Sequence, residues 1–152
     1  MTIRIITYQP QYKQDFIDLN TAWLEEYFFV EQHDKEVFEN IEEIVLTPGG
    51  AIFFCLVEDE VAGTVAMQKV SDSVYEMAKL AVDKKFQGQK LGNLLVEACI
   101  DFAKKKKAKK IMLLSSTKLI PALNLYRKYN FKETPMDETD YDRADIQMEL
   151  YL

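Results

Sequence analysis

The feature that most constrains the fold is a strand, helix and strand succession in the second half of the sequence. Val74–Val82 is rich in apolar and β-branched residues, and residues 89–107 carry apolar side chains at the spacing of a long amphipathic helix. Residues 110–116 then have the composition of a buried strand. Strands joined in this way run parallel, and ligands favour their carboxyl ends. We therefore expect a ligand site where the first strand meets the helix.

The remaining segments extend this unit into one mixed sheet covered by helices, an α/β or α+β fold. They predict further strands at Ile3–Thr7, Ala51–Val57, 61–69 and 145–150, and helices at 15–28, 34–45 and 120–129. Gly63 is expected to mark a β-bulge. No stretch rich in Pro, Gly or Ser divides the chain, so residues 1–152 are predicted to form a single domain.

Composition excludes several classes of protein. With 19 Lys and Arg against 25 Asp and Glu, the net charge is −6, which argues against nucleic acid as a partner and favours cationic or neutral substrates. Because no apolar run approaches the ~18 residues of a membrane span and the first ten residues do not resemble a signal peptide, we expect a cytoplasmic protein. Neither Cys55, Cys99 nor His33 has a neighbour at ligand spacing, so no disulfide framework or metal site is predicted.

Residues 82–93, between the predicted strand and the long helix, have the composition of a phosphate site. They hold two of the five glycines, Gly88 and Gly92, together with Lys84, Lys85 and Lys90. The start of a helix leaves about four backbone N–H groups without partners, so an anion there gains several hydrogen bonds. The spacing matches neither a P-loop nor a dinucleotide-binding glycine pattern. The alternative is an ordinary turn with solvated lysines.

The same segment resembles motif A of the GNAT superfamily of acetyl-CoA-dependent N-acetyltransferases, Gln/Arg-x-x-Gly-x-Gly/Ala. The match is Gln87-Gly88-Gln89-Lys90-Leu91-Gly92, preceded by Leu80-Ala81-Val82. The amino-terminal strand with two helices, the paired strands around Gly63 and the segment ending in Phe131 extend the resemblance over nearly the whole chain. Lys90 stands where the family most often has Gly. The resemblance implies a mostly antiparallel sheet of six to seven strands, about four flanking helices and one parallel pair splayed to hold acetyl-CoA.

The resemblance also implies a role for each site residue. The backbone of Gln87, Gly88, Gln89, Lys90, Leu91, Gly92 and Asn93 would hold the pyrophosphate of coenzyme A, and Leu80, Ala81 and Val82 would line its pantetheine arm. A backbone N–H near Leu80 or Val82 would bind the thioester oxygen. Tyr126 would be the general acid and Glu76 the base, often through water. Tyr27 and Phe28 would line the acceptor pocket, and no metal is implied.

Each of these side chains also has a purely structural interpretation. Tyr126 lies at helical spacing with Ala122 and Tyr129, so its ring could simply pack in the core. Glu76 could be an exposed strand carboxylate or a partner of Lys79, and core packing is the default for Tyr27 and Phe28.

The function that the resemblance implies is direct acetyl transfer from acetyl-CoA to a small-molecule or peptide amine, in a protein that could be a homodimer. One alternative is an acyl-CoA-binding regulatory or interaction module without turnover. Another is a nucleotide-binding α/β protein. The sequence leaves the identity of the amine and the oligomeric state open.

Overall fold

A seven-stranded sheet forms the centre of the computed structural model, which describes residues 2–139 and 141–152. The strands are β1 (Ile3–Thr7), β2 (Ala51–Val57), β3 (Glu60–Ser71), β4 (Val74–Val82), β5 (Lys110–Ser115), β6 (Lys132–Thr134) and β7 (Ile146–Tyr151). Their order is β1-β2-β3-β4-β5-β7-β6. Within these residues all neighbouring strands are antiparallel except the parallel pair β4 and β5. The mixed, mostly antiparallel sheet expected from the sequence is confirmed.

Four α-helices flank the sheet in the part of the chain that the structure describes. They are α1 (Lys13–Tyr27), α2 (Gln32–Glu39), α3 (Leu91–Lys105) and α4 (Ile120–Lys128). The helix predicted from Asp34 onwards is interrupted. Helix α2 ends at Glu39, the next residue Asn40 has a non-helical φ of −134° and ψ of 43°, and the π-helical turn Glu42–Leu46 follows. Both segments bury the same side, which holds Val37, Phe38, Ile41 and Val45, so the apolar spacing resembles that of one helix.

Helices cover both faces of the sheet, and the alternation of side chains along β2 shows how. Phe53, Cys55 and Val57 pack in the cluster that contains α3 and α4, whereas Ile52 and Phe54 pack on the opposite face against α1 and α2. Alternation of this kind is the period-two pattern of a strand buried on both faces. The largest helix contribution is from α3, which buries Leu91, Leu95, Val96, Cys99 and Ala103.

The two parallel strands separate towards their carboxyl ends. Residues 74–76 of β4 pair with residues 110–112 of β5, and from there β4 continues along β3 while β5 continues along β7. A bulge increases the separation: in the ladder with β3, Lys79 and Leu80 of β4 lie opposite the single residue Val65. Lys79 has a φ of +59°, in the left-handed region. Bulges bend a strand and increase its twist, so β4 turns away from β5 here.

Candidate active site

A cleft of about 280 Å³ lies between the separated ends of β4 and β5. Helix α1, the turn before α3, helix α4 and the segment before β7 complete its walls. The residues predicted for the site that line it are Phe28, Glu76, Leu80, Val82, Gln87, Gly92 and Tyr126. The structure therefore brings both candidate catalytic residues together with the end of β4 and the start of α3.

The other predicted residues lie beside the cleft or away from it. The side chains of Ala81 and Leu91 are buried in the core, where they are 2% and 1% exposed, so only their backbone can face a ligand. Gly88, Gln89, Lys90 and Asn93 belong to the turn and first helical residues next to the cleft wall. Tyr27 is 45% exposed, its ring 5.3 Å from that of Trp23, and lies outside the cleft.

The turn that joins β4 to α3 requires unusual backbone angles. After a 3₁₀ turn at Lys84–Phe86, Gly88 has a φ of +86° and Lys90 a φ of +60°. Lys90 thus adopts a left-handed conformation at the motif position where the family most often has Gly, at a cost of roughly 1 kcal/mol relative to Gly. A Cβ built on Gly88 would meet no atom within 4 Å, so this part of the turn faces open space.

The amino terminus of α3 has free hydrogen-bond donors. Lys90, the residue before the helix, makes no capping hydrogen bond with its side chain, and the first turn holds no acidic residue. The first N–H groups of a helix have no partner within it, and the helix dipole adds partial positive charge. This end of α3 can bind an anion.

Gly92 has a different local role from Gly88. A Cβ at Gly92 would lie 3.2 Å from the Cδ2 atom of Leu125, so glycine lets α3 approach α4 closely.

Beyond residue 76, the edge of β4 that faces β5 pairs with none of the described strands. Its backbone N–H and C=O groups can therefore bind an extended ligand as an added strand would.

Tyr126 combines packing with access to the cleft. Its side chain is 9% exposed, and its ring lies 6.1 Å from that of Phe131. Its hydroxyl has no hydrogen-bond partner among residues 2–139 and 141–152. Burial raises the pKa of Tyr126 to about 12, so the phenol stays protonated at neutral pH.

Glu76 faces the cleft and is held by no hydrogen bond or ion pair in the described part of the chain. Burial raises the pKa of this carboxyl, and the nearby charges of Lys79 and His33 oppose the shift. The sequence left open a pairing of Glu76 with Lys79. Lys79 instead donates hydrogen bonds to the carboxylate of Asp34 and, at 2.9 Å, to the hydroxyl of Tyr141.

A buried group of charges at one end of the cleft was not predicted. Arg143 donates to both carboxylate oxygens of Asp34 at 2.8 Å and to Glu31 at 3.0 Å, and Lys79 binds Asp34 from the other side. We call Glu31, Asp34, Lys79 and Arg143 the ion cluster. Its members come from the N-cap and first turn of α2, the bulge of β4 and the segment before β7, so no local sequence pattern could have indicated it.

Two further properties concern the described residues as a whole. No helix among them has the length and apolar character needed to cross a bilayer. No three His, Cys, Asp or Glu side chains of residues 2–139 and 141–152 are grouped so that they could hold a metal ion.

Comparison with known protein families decides the family. Residues 17–131 match the model of the Acetyltransferase (GNAT) family, which is well over half of the chain. The chain belongs to the GNAT family. The recognition made from motif A is thereby confirmed, and the splayed parallel pair of this GNAT protein is the arrangement that the resemblance implied.

Solved structures of acetyltransferases share the fold. An acetyltransferase of the GNAT family from Staphylococcus aureus has a TM-score of 0.88 at 23% identity, covering 99% of both chains. An acetyltransferase from Streptococcus agalactiae has a TM-score of 0.86 at 23% identity, covering 99% of this chain and 98% of its own. The PaiA N-acetyltransferase from Thermoplasma acidophilum, solved in complex with coenzyme A, has a TM-score of 0.80 at 15% identity over the whole of both chains. No curated protein matches the chain.

Proposed function

We propose that this GNAT protein is an N-acetyltransferase that passes the acetyl group of acetyl-CoA directly to a small-molecule or peptide amine. The observation that carries the proposal is that one cleft joins an unpaired strand edge to an uncapped helix amino terminus. An extended arm with a diphosphate at one end needs these two features side by side. The complex of the similar Thermoplasma protein with coenzyme A supports the same conclusion.

The residues of the turn and of β4 fit the two parts of acetyl-CoA. The backbone of residues 87–93 would hold the diphosphate, because the open space at Gly88 lets phosphate oxygens approach the free N–H groups. The edge at Leu80 and Val82 would pair with the amide groups of the pantetheine arm. Ala81 and Leu91 would contribute through their backbone alone, since their side chains are in the core.

Acetyl-CoA supplies a thioester whose carbonyl carbon a neutral amine attacks, and negative charge then develops on the carbonyl oxygen. The bulge at Lys79 and Leu80 interrupts the ladder with β3 and re-aims the backbone, so we assign the stabilising N–H group to this region. A fixed backbone donor needs no rearrangement as the charge forms.

The hydroxyl of Tyr126 would donate a hydrogen bond to the departing sulfur. With a pKa of about 12 the phenol is fully protonated at neutral pH, so the donor is always present. Complete proton transfer to a thiolate whose parent thiol has a pKa near ~8.5 is uphill on these values. We therefore assign Tyr126 mainly to hydrogen-bond stabilisation of the leaving group, with the proton lost by the amine ending on the thiol.

Glu76 would take a proton from the ammonium form of the acceptor, directly or through water. Its pKa lies above the usual range of a carboxyl because of burial. A base whose pKa is closer to the working pH is more effective, provided that it remains ionised.

Two measurements test the proposed function. Coenzyme A is expected to raise the melting temperature more than ATP or NAD does, and acetyl-CoA with an amine panel is expected to release free thiol. A larger shift with ATP or NAD would favour a nucleotide-binding protein. Coenzyme A binding without thiol release from any amine would favour a binding module without turnover.

The cytoplasmic location and the possible homodimer expected from the sequence stay predictions. Fractionation of cells that express the tagged chain tests the location, and size-exclusion chromatography with light scattering tests the oligomeric state.

A further inference from the structure

We propose that the cleft accepts amines with no carboxylate on the carbon next to the amine, and that it discriminates against free amino acids. This inference rests on the proposed function and adds the class of acceptor. Its basis is the ion cluster, in which the cations that line the cleft are already neutralised by the protein.

Lys79 and Arg143 are the cations that line the described part of the cleft, and both are largely buried. Their side chains are 6% and 16% exposed. Asp34, which is fully buried, binds both of them, and Glu31 binds Arg143 a second time. Two cations are thus matched by two carboxylates of the same chain, so the ion cluster carries no net charge.

An acceptor carboxylate would therefore find no cation to compensate its loss of hydration. Arg143 and Lys79 keep unused N–H groups, but a carboxylate bound to either would add a third negative charge beside two cations that Asp34 and Glu31 already balance. The remaining charged group that lines the described part of the cleft is the carboxylate of Glu76. It makes no hydrogen bond or ion pair with the described residues, although Lys79 and His33 lie near enough to oppose the rise in its pKa, and it repels a second carboxylate. A misplaced like charge is a common means of rejecting an unwanted ligand.

Other walls of the same cleft favour the opposite kind of molecule. Trp23, Leu24 and Phe28 line it with apolar and aromatic surface, whereas the ring of Tyr141 is already covered by Arg143 and Lys79, at 4.3 and 4.7 Å from its centroid. An ammonium group is attracted both to a carboxylate and to the faces of aromatic rings. A primary amine on an apolar or aromatic substituent therefore matches the charge and the surface together.

Matched acceptors test this on the unmodified protein. We would measure kcat/KM with acetyl-CoA for phenethylamine, phenylalaninamide and phenylalanine. The same comparison would be made for tryptamine, tryptophanamide and tryptophan. The amides keep a substituent of similar size on the same carbon without its charge. We expect kcat/KM for the amino acids to be at least about 100-fold lower than for the amines, which is the scale of two charge-assisted interactions. We expect kcat/KM for the amides to lie within about tenfold of the values for the amines. Amino acids within about threefold of the amines would overturn the inference.

A pair of variants tests whether the ion cluster is the cause. Glu31→Gln removes one negative charge beside Arg143 and should reduce the preference for phenethylamine over phenylalanine by about tenfold. Glu39→Gln removes the same charge from an exposed position in α2, the helix that begins directly after Glu31, and should leave that ratio unchanged. Coenzyme A affinity and melting temperature check that both variants fold. Equal ratios in two folded variants would contradict the role of the ion cluster.

The two proposals fail in different ways. Coenzyme A binding with no thiol release for any amine contradicts the proposed function and this inference together. Rapid release with phenylalanine leaves the proposed function standing and overturns the inference alone.

Discussion

Burial acts on Tyr126 and Glu76 in the same direction, but it serves opposite purposes. It raises both pKa values, so the phenol holds its proton more firmly while the carboxyl moves from a weak base towards a stronger one. Since the two side chains line one cleft, the proposed donor for the sulfur and the proposed acceptor for the amine proton lie in the same site.

Replacing Tyr126 by Phe keeps the packed ring and removes the hydroxyl. We expect kcat to fall by about 10²-fold, in the range of a lost acid or hydrogen-bond donor, with little change in coenzyme A affinity. Steady-state kinetics and calorimetric titration measure the two quantities. Tyr8→Phe is the control, because the Tyr8 hydroxyl binds Glu42 outside the cleft and its loss should leave kcat unchanged. Equal rates for Tyr126→Phe and the parent would exclude a catalytic hydroxyl.

Replacing Glu76 by Gln should change the pH dependence of the rate. The base must be ionised, so kcat/KM of the parent should fall as pH decreases through the raised pKa of Glu76. In Glu76→Gln this acid limb should be absent and the plateau about 10²-fold lower. Glu133→Gln, a change of the same kind at an exposed residue of β6, should keep the parent profile. An unchanged acid limb in Glu76→Gln would assign it to another group.

Asp34 should make stability depend on acid. Burial opposes its ionisation, but hydrogen bonds from Arg143 and the charge of Lys79 outweigh this and lower the pKa of Asp34 to about 2 from 3.8. The stabilisation is therefore complete above about pH 4 and is lost as pH falls towards 2. We expect Asp34→Asn to lower the free energy of unfolding at pH 7 by about 3 kcal/mol, since it leaves two buried cations uncompensated. Denaturant unfolding at pH 7 and at low pH should show this difference shrink with acid; a constant difference would count against the assignment.

At the scale of elements, the site depends on the turn between β4 and α3. The chain must leave the strand, adopt positive φ at Gly88 and Lys90, and then begin a helix whose first N–H groups stay free. The bulge at Lys79 and Leu80 bends the strand beside the cleft, and the side chain of Lys79 is held in the ion cluster. Turn and bulge together set where a ligand can lie.

Two glycines with positive φ form a matched test of this turn. Gly88→Val and Gly49→Val both force a β-branched residue into the left-handed region, at φ of +86° and +116°, and each should cost roughly 1–3 kcal/mol of stability. Gly88→Val should also weaken coenzyme A binding by at least about tenfold, because its side chain would occupy the space that the phosphate needs. Gly49→Val should leave the affinity unchanged. The same affinity in both variants would argue against a diphosphate at this turn.

The elements that sequence reasoning found are those with a long buried face. Helix α3 and strands β4 and β5 could be predicted because each repeats apolar residues at its own period over many residues. The ends of helices have no comparable repeating pattern of apolar residues. Phe28 follows α1 with φ of −148° and ψ of −131°, which turns it into the cleft while the neighbouring Tyr27 faces solvent. No pattern of residue types distinguishes these two aromatic side chains.

At the scale of the whole molecule, the sheet with helices on both faces places one cleft at the separated ends of β4 and β5. Motif A, at the start of α3, could be read from the sequence because its glycines are close together in the chain. The ion cluster could not, since its members at residues 31, 34, 79 and 143 meet only through long-range packing. The part of the site that we propose to hold the cofactor is local in sequence, and the part that we propose to select the acceptor is not.

The most direct measurement is a crystal structure of the protein grown with acetyl-CoA. We predict that diphosphate oxygens lie about 3 Å from the backbone nitrogens at the start of α3, with the pantetheine arm along the β4 edge at Leu80 and Val82. A coenzyme bound elsewhere, or a turn filled by protein side chains at saturating acetyl-CoA, would contradict the account.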